Sequence, residues 1–589
     1  MGDPLRNLRF VVFFVLVSFS FTFCKKKEND VNENFLLLFL LYNLLTADGI
    51  CTDTSGTPSD PLFSSQWHLL NNGSTSGSVS GEDARVATPW NSGCKGGGVS
   101  VVTVDDGMDN RHEDLIPNYD TSLNRDYTNQ NVFFTTSLCT TALGCHGTAV
   151  SGIMAARDGN GIGVSGAAPR AKLGVRNVLY NPTDSNASDA MSTNASLVHI
   201  SNNSWGAADD LGTLAPSGTL WQAGIDTALS TGRNGKGSVF FWAAGNGGRS
   251  LNAYYGVSNA TSIYTDNSNY DGQANYYGVN AICAVGNDGL RASYSEEGAN
   301  LLVCAHSMGN NSVGIVTTDI TSSGGYNRPS SGEPSNTNYT NSFSGTSSAS
   351  PLAAGVSALV LDVNPNLSWR DMRVILARSA RKVDTNDSDW IANGGGLKFN
   401  HKYGFGVIDA NAAVTLAKSW TPIGAEVIKT ISGSTTSVTI PNNSTTGATN
   451  TLTVSSSGIA KIEFVDLTLS VSTGSTDDPG DLQIELTSPS GKVARLANSH
   501  ACINSSPTYT RCTSYTGYRF GVTEFMDESA DGTWSLKISD QCNQPTSTSR
   551  TCSVPWNGQS YTNSNLASLN GNGSHSFGAW TLKIRGRAN

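Results

Sequence analysis

Charge is what this sequence has least of. Asp, Glu, Lys and Arg make up 14% of its 589 residues, against roughly 25% in an average soluble domain. The balance is acidic: 47 Asp and Glu against 37 Lys and Arg leave a net charge of −10. Outside Lys25-Lys26-Lys27 there is no dense basic run, which argues against nucleic acid as a partner. Long apolar runs are missing too. Phe10–Phe23 and Phe35–Leu45 are both shorter than the ~20 residues a membrane-spanning helix needs. No Cys-x-x-Cys pair occurs, so a zinc ribbon is disfavoured. What abounds instead is Gly, Ser, Thr and Asn, the composition of an exported, loop-rich protein.

The first residues agree with export. Arg6 and Arg9 precede the apolar stretch Phe10–Phe23, the layout of a signal peptide over residues 1–24. The stretch ends at Cys24, which loosely resembles the lipid-attachment residue of a bacterial lipoprotein, although bulky Phe23 stands where a small residue is usual. The expected location is secreted or cell-envelope, with membrane contact only through such an anchor. Apart from Cys24, ten cysteines remain, an even number that suits an oxidising compartment. Neighbours suggest the pairs Cys51/Cys94, Cys139/Cys145, Cys283/Cys304, Cys502/Cys512 and Cys542/Cys552, though spacing alone does not fix connectivity.

From residue 60 to about 420, short apolar strands alternate with helical segments, the pattern of a parallel sheet flanked by helices, an α/β fold. The expected strands are Val99–Val104, Leu173–Leu179, Val198–Ser201, Ser238–Ala243 and Ala281–Val285. The expected helices are His146–Ala156, Leu220–Ser230, Pro351–Val363 and Ser368–Ala380. From 423 to 589 helical periodicity gives way to alternating strands: Ala460–Val471, Leu482–Ser488, Thr533–Ser539 and Trp580–Arg585. That second part reads as an all-β sandwich or jelly roll. Residues 25–59 form a linker too short for a further domain.

Three local patterns carry chemistry. Val101–Val104 runs into Asp105-Asp106-Gly107, putting a carboxylate at a strand end. Gly144-Cys145-His146-Gly147-Thr148 sets a histidine at the first turn of a helix. Ser344-Gly345-Thr346-Ser347-Ser348-Ala349-Ser350-Pro351 delivers a serine to a helix start, where free N–H groups favour developing negative charge. Pro351 suits a first turn, where its missing N–H would be unpaired in any case. Taken singly, an Asp-Gly turn, a structural histidine and a Ser-rich helix start are ordinary features.

In the order Asp, His, Ser they resemble the three signature blocks of subtilisin-type serine proteases of the kexin/furin branch. Phe241-Trp242-Ala243-Ala244-Gly245-Asn246-Gly247-Gly248 resembles that family's oxyanion-hole segment. The likeness runs from about residue 60 to the C-terminus. It implies Ser347 as nucleophile, His146 as general base and then acid, Asp105 as its orienting partner, and Asn246 as oxyanion donor. Asp481–Gly491, Asp531–Leu536 and Gly578–Leu582 resemble the branch's companion β-domain, the P domain. In their Gly-x-Trp-x-Leu pattern the Trp and Leu alternate along a strand and pack on one face.

The resemblance also implies specificity and a metal. Among substrate-binding residues it assigns Ser204, Trp205, Gly206, Asp106 beside the second residue before the cut, and Asp209 in the first pocket. The family's other first-pocket acid aligns with Gly256-Val257, and its remaining acids align with Leu143, Ser192 and Ala215, none of them carboxylates. A reduced set of acids predicts a moderate preference for Lys or Arg before the scissile bond. Calcium is the implied ion. Asp60, Asp114, Asn160 and Ile162 match one site; Asp209 and Glu296 match a second, in which Asn252 replaces an aspartate.

The family usually carries a folded pro-region, so a separate folding chaperone is an expected partner beside protein and peptide substrates. An N-terminal exopeptidase of the same fold and a catalytically idle adhesion protein are the competing readings. A lipase is disfavoured because Ala349 stands where Gly-x-Ser-x-Gly requires glycine.

Overall fold

The computed structural model describes residues 51–588 apart from 52, 129–145, 249–265, 322–323, 329–331, 434–435, 474–477, 504–508, 543–549, 555–558 and 564–574. The expected leader 1–24, Cys24, the Phe35–Leu45 run, Leu143, Asn252, Gly256-Val257 and the Cys139/Cys145 pair lie outside the described residues. Residues 51–589 form one compact unit.

Six parallel strands make the first sheet: β1 (Ser100–Val104), β2 (Lys172–Arg176), β3 (Ile200–Asn203), β4 (Val239–Ala243), β5 (Val279–Val285) and β6 (Leu301–His306). Their spatial order is β2-β1-β3-β4-β5-β6, and β7 (Ile315–Thr318) and β8 (Tyr339–Phe343) pair separately as an antiparallel ribbon. Parallel strands need long crossovers, and these supply the helices on both faces. Along β1 the side chains alternate accordingly. Val101 enters one apolar core, and Val102 and Val104 enter the other. The longer helices are α1 (His146–Ala155), α2 (Asp184–Ser192), α3 (Thr219–Gly235), α4 (Thr346–Val363), α5 (Trp369–Ser379) and α6 (Ala410–Lys418). Ser368 caps α5 in a reciprocal box with Asp371, as its Ser-x-x-Asp sequence leads one to expect.

Several boundaries differ from expectation. The strand expected over Leu173–Leu179 stops at Arg176, and Val178–Tyr180 turns as a 3₁₀ segment. The strand expected at Val198–Ser201 is shifted to Ile200–Asn203, where its register against Val101–Val104 places it. Strand β6 and helices α2 and α6 were not anticipated. The largest difference concerns α4, which begins at Thr346 and not at Pro351. Pro351 is therefore inside the helix, where it cannot donate to the carbonyl four residues back, that of Ser347. That carbonyl accepts from Ser204 Oγ instead, at 3.0 Å. The proline thus opens the helix ladder at the serine and lets the β3 end bond there.

The C-terminal region is built of two antiparallel sheets. One runs β9 (Val427–Ser432), β17 (His575–Arg587), β12 (Lys461–Ser472), β15 (Tyr518–Val522), with β10 (Val438–Ile440) also paired to β17. The other runs β11 (Ala448–Val454), β16 (Gly532–Asp540), β13 (Leu482–Thr487), β14 (Val493–Ala497). Between them Trp534 and Trp580 are fully buried with Leu536 and Leu582, the alternation read from the sequence. Met526 from this region enters the first core, while Tyr270 and Ala299 enter the sandwich core. Four expected disulfides are formed, Cys51–Cys94, Cys283–Cys304, Cys502–Cys512 and Cys542–Cys552. Cys283 and Cys304 are directly opposite on β5 and β6.

Candidate active site

Asp105 ends β1, fully buried, and its N–H donates to the Arg176 carbonyl on the neighbouring strand. Helix α1 begins at His146, whose Nδ1 lies 3.0 Å from both Asp105 carboxylate oxygens. The close approach depends on Gly147, because a Cβ there would sit 2.0 Å from the Gly107 carbonyl oxygen. Burial opposes charge on the imidazole, but Asp105 and then Asp106 outweigh it and hold the His146 pKa above the ordinary histidine value.

Asp106 does more than the sequence suggested. Its two oxygens accept from the His146 N–H at 2.9 Å and the Gly147 N–H at 2.8 Å, satisfying free donors at the α1 N-terminus. Burial, and after it the Asp105 charge, push its carboxyl up to about 7. Both predicted aspartates thus hold the histidine, one at its ring and one at its backbone.

Ser347 occupies the first turn of α4, half-buried. Its Oγ donates to the Ser204 carbonyl at 3.3 Å, not to His146. Catalytic hydrogen bonds often tighten only around substrate. Gly345 precedes it at φ 81°, in the left-handed region that glycine tolerates. Asn246 is locked from the other side: its Oδ1 accepts from the Thr346 N–H at 2.8 Å and from Thr346 Oγ1 at 3.0 Å. With the carbonyl end engaged, the amide NH₂ is left as the donor end, and it donates to Asp209 Oδ2 at 3.5 Å.

Beside Ser347 opens a cavity of about 280 Å³. Ser204, Trp205, Gly206, Asp209 and Asn246 line it, as does Glu296. Trp205 is fixed by its Nε1 donating to the Val104 carbonyl at 2.9 Å and by Trp242, with ring centroids 4.6 Å apart. Two further carboxylates, Asp266 and Asp271, line the same cavity. The sequence reading missed both. Residue-by-residue transfer pointed to positions 252 and 256–257, which lie outside the described residues. The cue available was the Asp-x₄-Asp spacing just ahead of β5.

Asp271 Oδ2 accepts from the Ala207 N–H at 2.8 Å and approaches Gly206 so closely that a Cβ there would lie 2.4 Å away. Burial raises the Asp271 carboxyl and pushes Asp266 up to about 7, and it drives Glu296 well above the usual carboxylate range, with Asp266 and Asp209 adding to the effect. Asp266 Oδ2 is buried with no hydrogen-bond partner. Among the described residues no Lys or Arg pairs with Asp266, Asp271 or Glu296. Such a concentration of buried negative charge is suited to a cation.

The first expected calcium cluster also converges. Asp60 accepts from the Gly159 and Gly161 N–H groups at 2.8 and 3.1 Å. Asp114 accepts from Val164 N–H at 2.9 Å and from Asn160 Nδ2 at 2.6 Å. Both are buried, and burial, with Asp60 contributing, pushes Asp114 up to about 6. Ile162 is exposed in the same turn. No Lys or Arg neutralises either acid among the described residues. A hard cation fits this oxygen set, with the Asn160 amide turned to offer Oδ1.

Residues 96–406 match the model of the subtilase family. The chain belongs to that family. Residues 464–552 match the proprotein convertase P-domain, and the two together place this subtilase in the kexin/furin branch. It is 33% identical over 498 residues to a PC3-like endoprotease of Hydra vulgaris, covering 83% of this chain and 64% of the relative. It is 32% identical to bovine furin over 484 residues (82% and 55%) and 31% identical to human neuroendocrine convertase 2 over 488 (82% and 71%). The subtilase thus spans little more than half the length of several curated relatives. Among solved structures it resembles the serine protease of Aeromonas sobria, with TM-score 0.76, 27% identity, and coverage of 92% of this chain and 98% of that one. A complex of that protease with the chaperone ORF2 matches with TM-score 0.77 at 26% identity, covering 91% and 96%.

Proposed function

We propose that this subtilase is an exported, calcium-dependent serine endopeptidase that cuts peptide bonds after Lys or Arg. The observation that carries the reading is a serine at a helix N-terminus beside a cavity lined by four carboxylates, in a fold that also sets an imidazole on a buried aspartate. Ser347 Oγ attacks the peptide carbonyl as His146 removes its proton, and His146 then protonates the leaving amine. Asp105 fixes the ring tautomer and stabilises the imidazolium. The Asn246 NH₂ and the α4 N-terminus stabilise the tetrahedral oxyanion. Asp209, Asp266, Asp271 and Glu296 together carry more negative charge than one divalent ion would neutralise, and the remainder is what a Lys or Arg side chain seeks. Asp106 shapes the adjoining subsite from its cap on α1.

Bound calcium would be held by Asp60, Asp114 and Asn160, and, at the pocket, by Asp209, Asp266 and Glu296. It would supply positive charge that offsets buried carboxylates and fixes these loops. Four disulfides are consistent with an oxidising, extracytoplasmic location. A separate chaperone is a candidate partner, since the similar Aeromonas sobria protease was solved with one. Paired fluorogenic peptides with Arg, Lys or Leu before the cut test the assignment, with an active-site phosphonate as label. Cleavage of the basic peptides with labelling of Ser347 is expected; absence of labelling refutes the enzyme, and best cleavage after Leu refutes the specificity.

A further inference from the structure

The acidic cavity belongs to the parallel-sheet region, yet two of its walls are held by the C-terminal sandwich. Asp271 sits in the segment 269–275. On β15, Tyr518 OH donates to the carbonyls of Asn269 at 2.9 Å and Tyr270 at 2.7 Å. Next to it, the Arg519 guanidinium donates to the carbonyls of Gly272 at 2.8 Å and Asn275 at 2.7 Å. The Asp271 backbone is therefore clamped on both sides from one strand of the other region. Asp266 is reached by a second route. His500 is buried, with Nε2 2.9 Å from the Gly212 carbonyl and Nδ1 3.2 Å from Tyr270 OH. The Gly212 N–H in turn donates to Asp266 Oδ1 at 2.6 Å.

These contacts exceed what simple docking of two regions requires. Hydrogen bonds to backbone carbonyls fix position and orientation, and a side chain carried by that backbone moves with it. Neither Tyr518, Arg519 nor His500 lines the cavity. A carboxylate displaced by even 1 Å loses much of its advantage for a cationic partner while leaving the serine and histidine untouched.

We propose that Tyr518, Arg519 and His500 of the P domain are positioning residues that set the selectivity of the acidic pocket for a cationic side chain, through the backbone around Asp271 and through Gly212 to the Asp266 carboxylate. This rests on the reading of that cavity as the pocket for Lys or Arg. The P domain then acts on substrate choice as well as on stability, with the reacting groups unaffected.

The test compares wild type, Tyr518→Phe, His500→Ala and His500→Gln on matched Arg and Leu peptides, with melting temperature measured on each. Tyr518→Phe removes one hydroxyl and remains informative if His500→Ala does not fold. Expected in Tyr518→Phe and His500→Ala is a fall of about tenfold in the Arg-to-Leu ratio of kcat/KM, carried by KM for the Arg peptide. His500→Gln, which can still donate to the Gly212 carbonyl, restores most of it. An equal loss on both peptides, or an unchanged ratio, overturns the positioning role. A wild-type enzyme with no preference for Arg refutes the pocket assignment itself; a preference that survives the substitutions refutes the inference alone.

Discussion

Buried carboxylates occur in two settings in this molecule, and they are treated in opposite ways. Where the P domain meets the protease region, Glu463, Asp527 and Glu524 each have a cation. Glu463 is bonded by Arg370 at 2.7 Å and by Arg587 at 3.2 Å. Asp527 receives Arg587 at 2.6 Å and Arg378 at 2.5 Å, and Glu524 receives Lys492 at 2.8 Å and His401 at 3.1 Å. At the cavity beside Ser347, Asp266, Asp271 and Glu296 are held by backbone N–H groups and have raised pKa values. The first three acids are neutralised from within the chain; the cavity acids are left able to pair with a cation that arrives from outside. Pairing is what separates the two settings.

The largest expected effect belongs to the reacting groups. Ser347→Ala should remove hydrolysis by roughly 10⁶-fold in kcat with an unchanged melting temperature; substantial residual turnover would contradict the nucleophile. Asn246→Ala follows, lowering kcat by roughly 10²–10³-fold with little change in KM.

The third prediction sets the two kinds of carboxylate against each other. Asp527→Ala leaves Arg587 and Arg378 short of a partner and should cost about 3 kcal/mol of stability. Asp271→Asn removes a buried charge with no cation, so stability should hold or rise while kcat/KM on the Arg peptide falls roughly a hundredfold. Denaturant melts and peptide kinetics on the two variants decide it, and similar losses of stability would erase the distinction.

Two smaller effects sharpen the picture. Chelation with EGTA should lower the melting temperature of the wild type, and Asp114→Asn should remove most of that response; a melt indifferent to EGTA counts against the Asp60/Asp114 site. The pH profile of kcat/KM reports the imidazole, which is the active base when deprotonated. Because Asp105 and Asp106 raise its pKa against the effect of burial, activity should climb with pH through a midpoint above the ordinary value of about 6.5. Asp105→Asn should shift that midpoint down. A wild-type midpoint at or below 6.5 would show that the pair does not act on the ring as its geometry indicates.

Much of this was legible without coordinates because it is local. The strand running into Asp105, the helix starting at His146 and the Gly345-Thr346-Ser347 turn each sit within a few residues of their cause. The disulfides Cys502–Cys512 and Cys542–Cys552 close loops of 10 residues, so proximity along the chain predicts them. The helix start at Thr346 was not legible, because a proline alone does not reveal that Ser204 will bond the carbonyl it leaves open.

The amino-acid order by itself determined the family, the sequence of reacting groups and the alternation that builds sheet and sandwich, since each depends on short-range geometry. Only the tertiary structure decided that Asp266 and Asp271 enter the cavity, that Asp106 caps the histidine helix, and that His500 reaches Gly212 from 288 residues away. Such meetings depend on how whole elements pack. No local preference encodes them, because the groups share nothing but the space they are brought into.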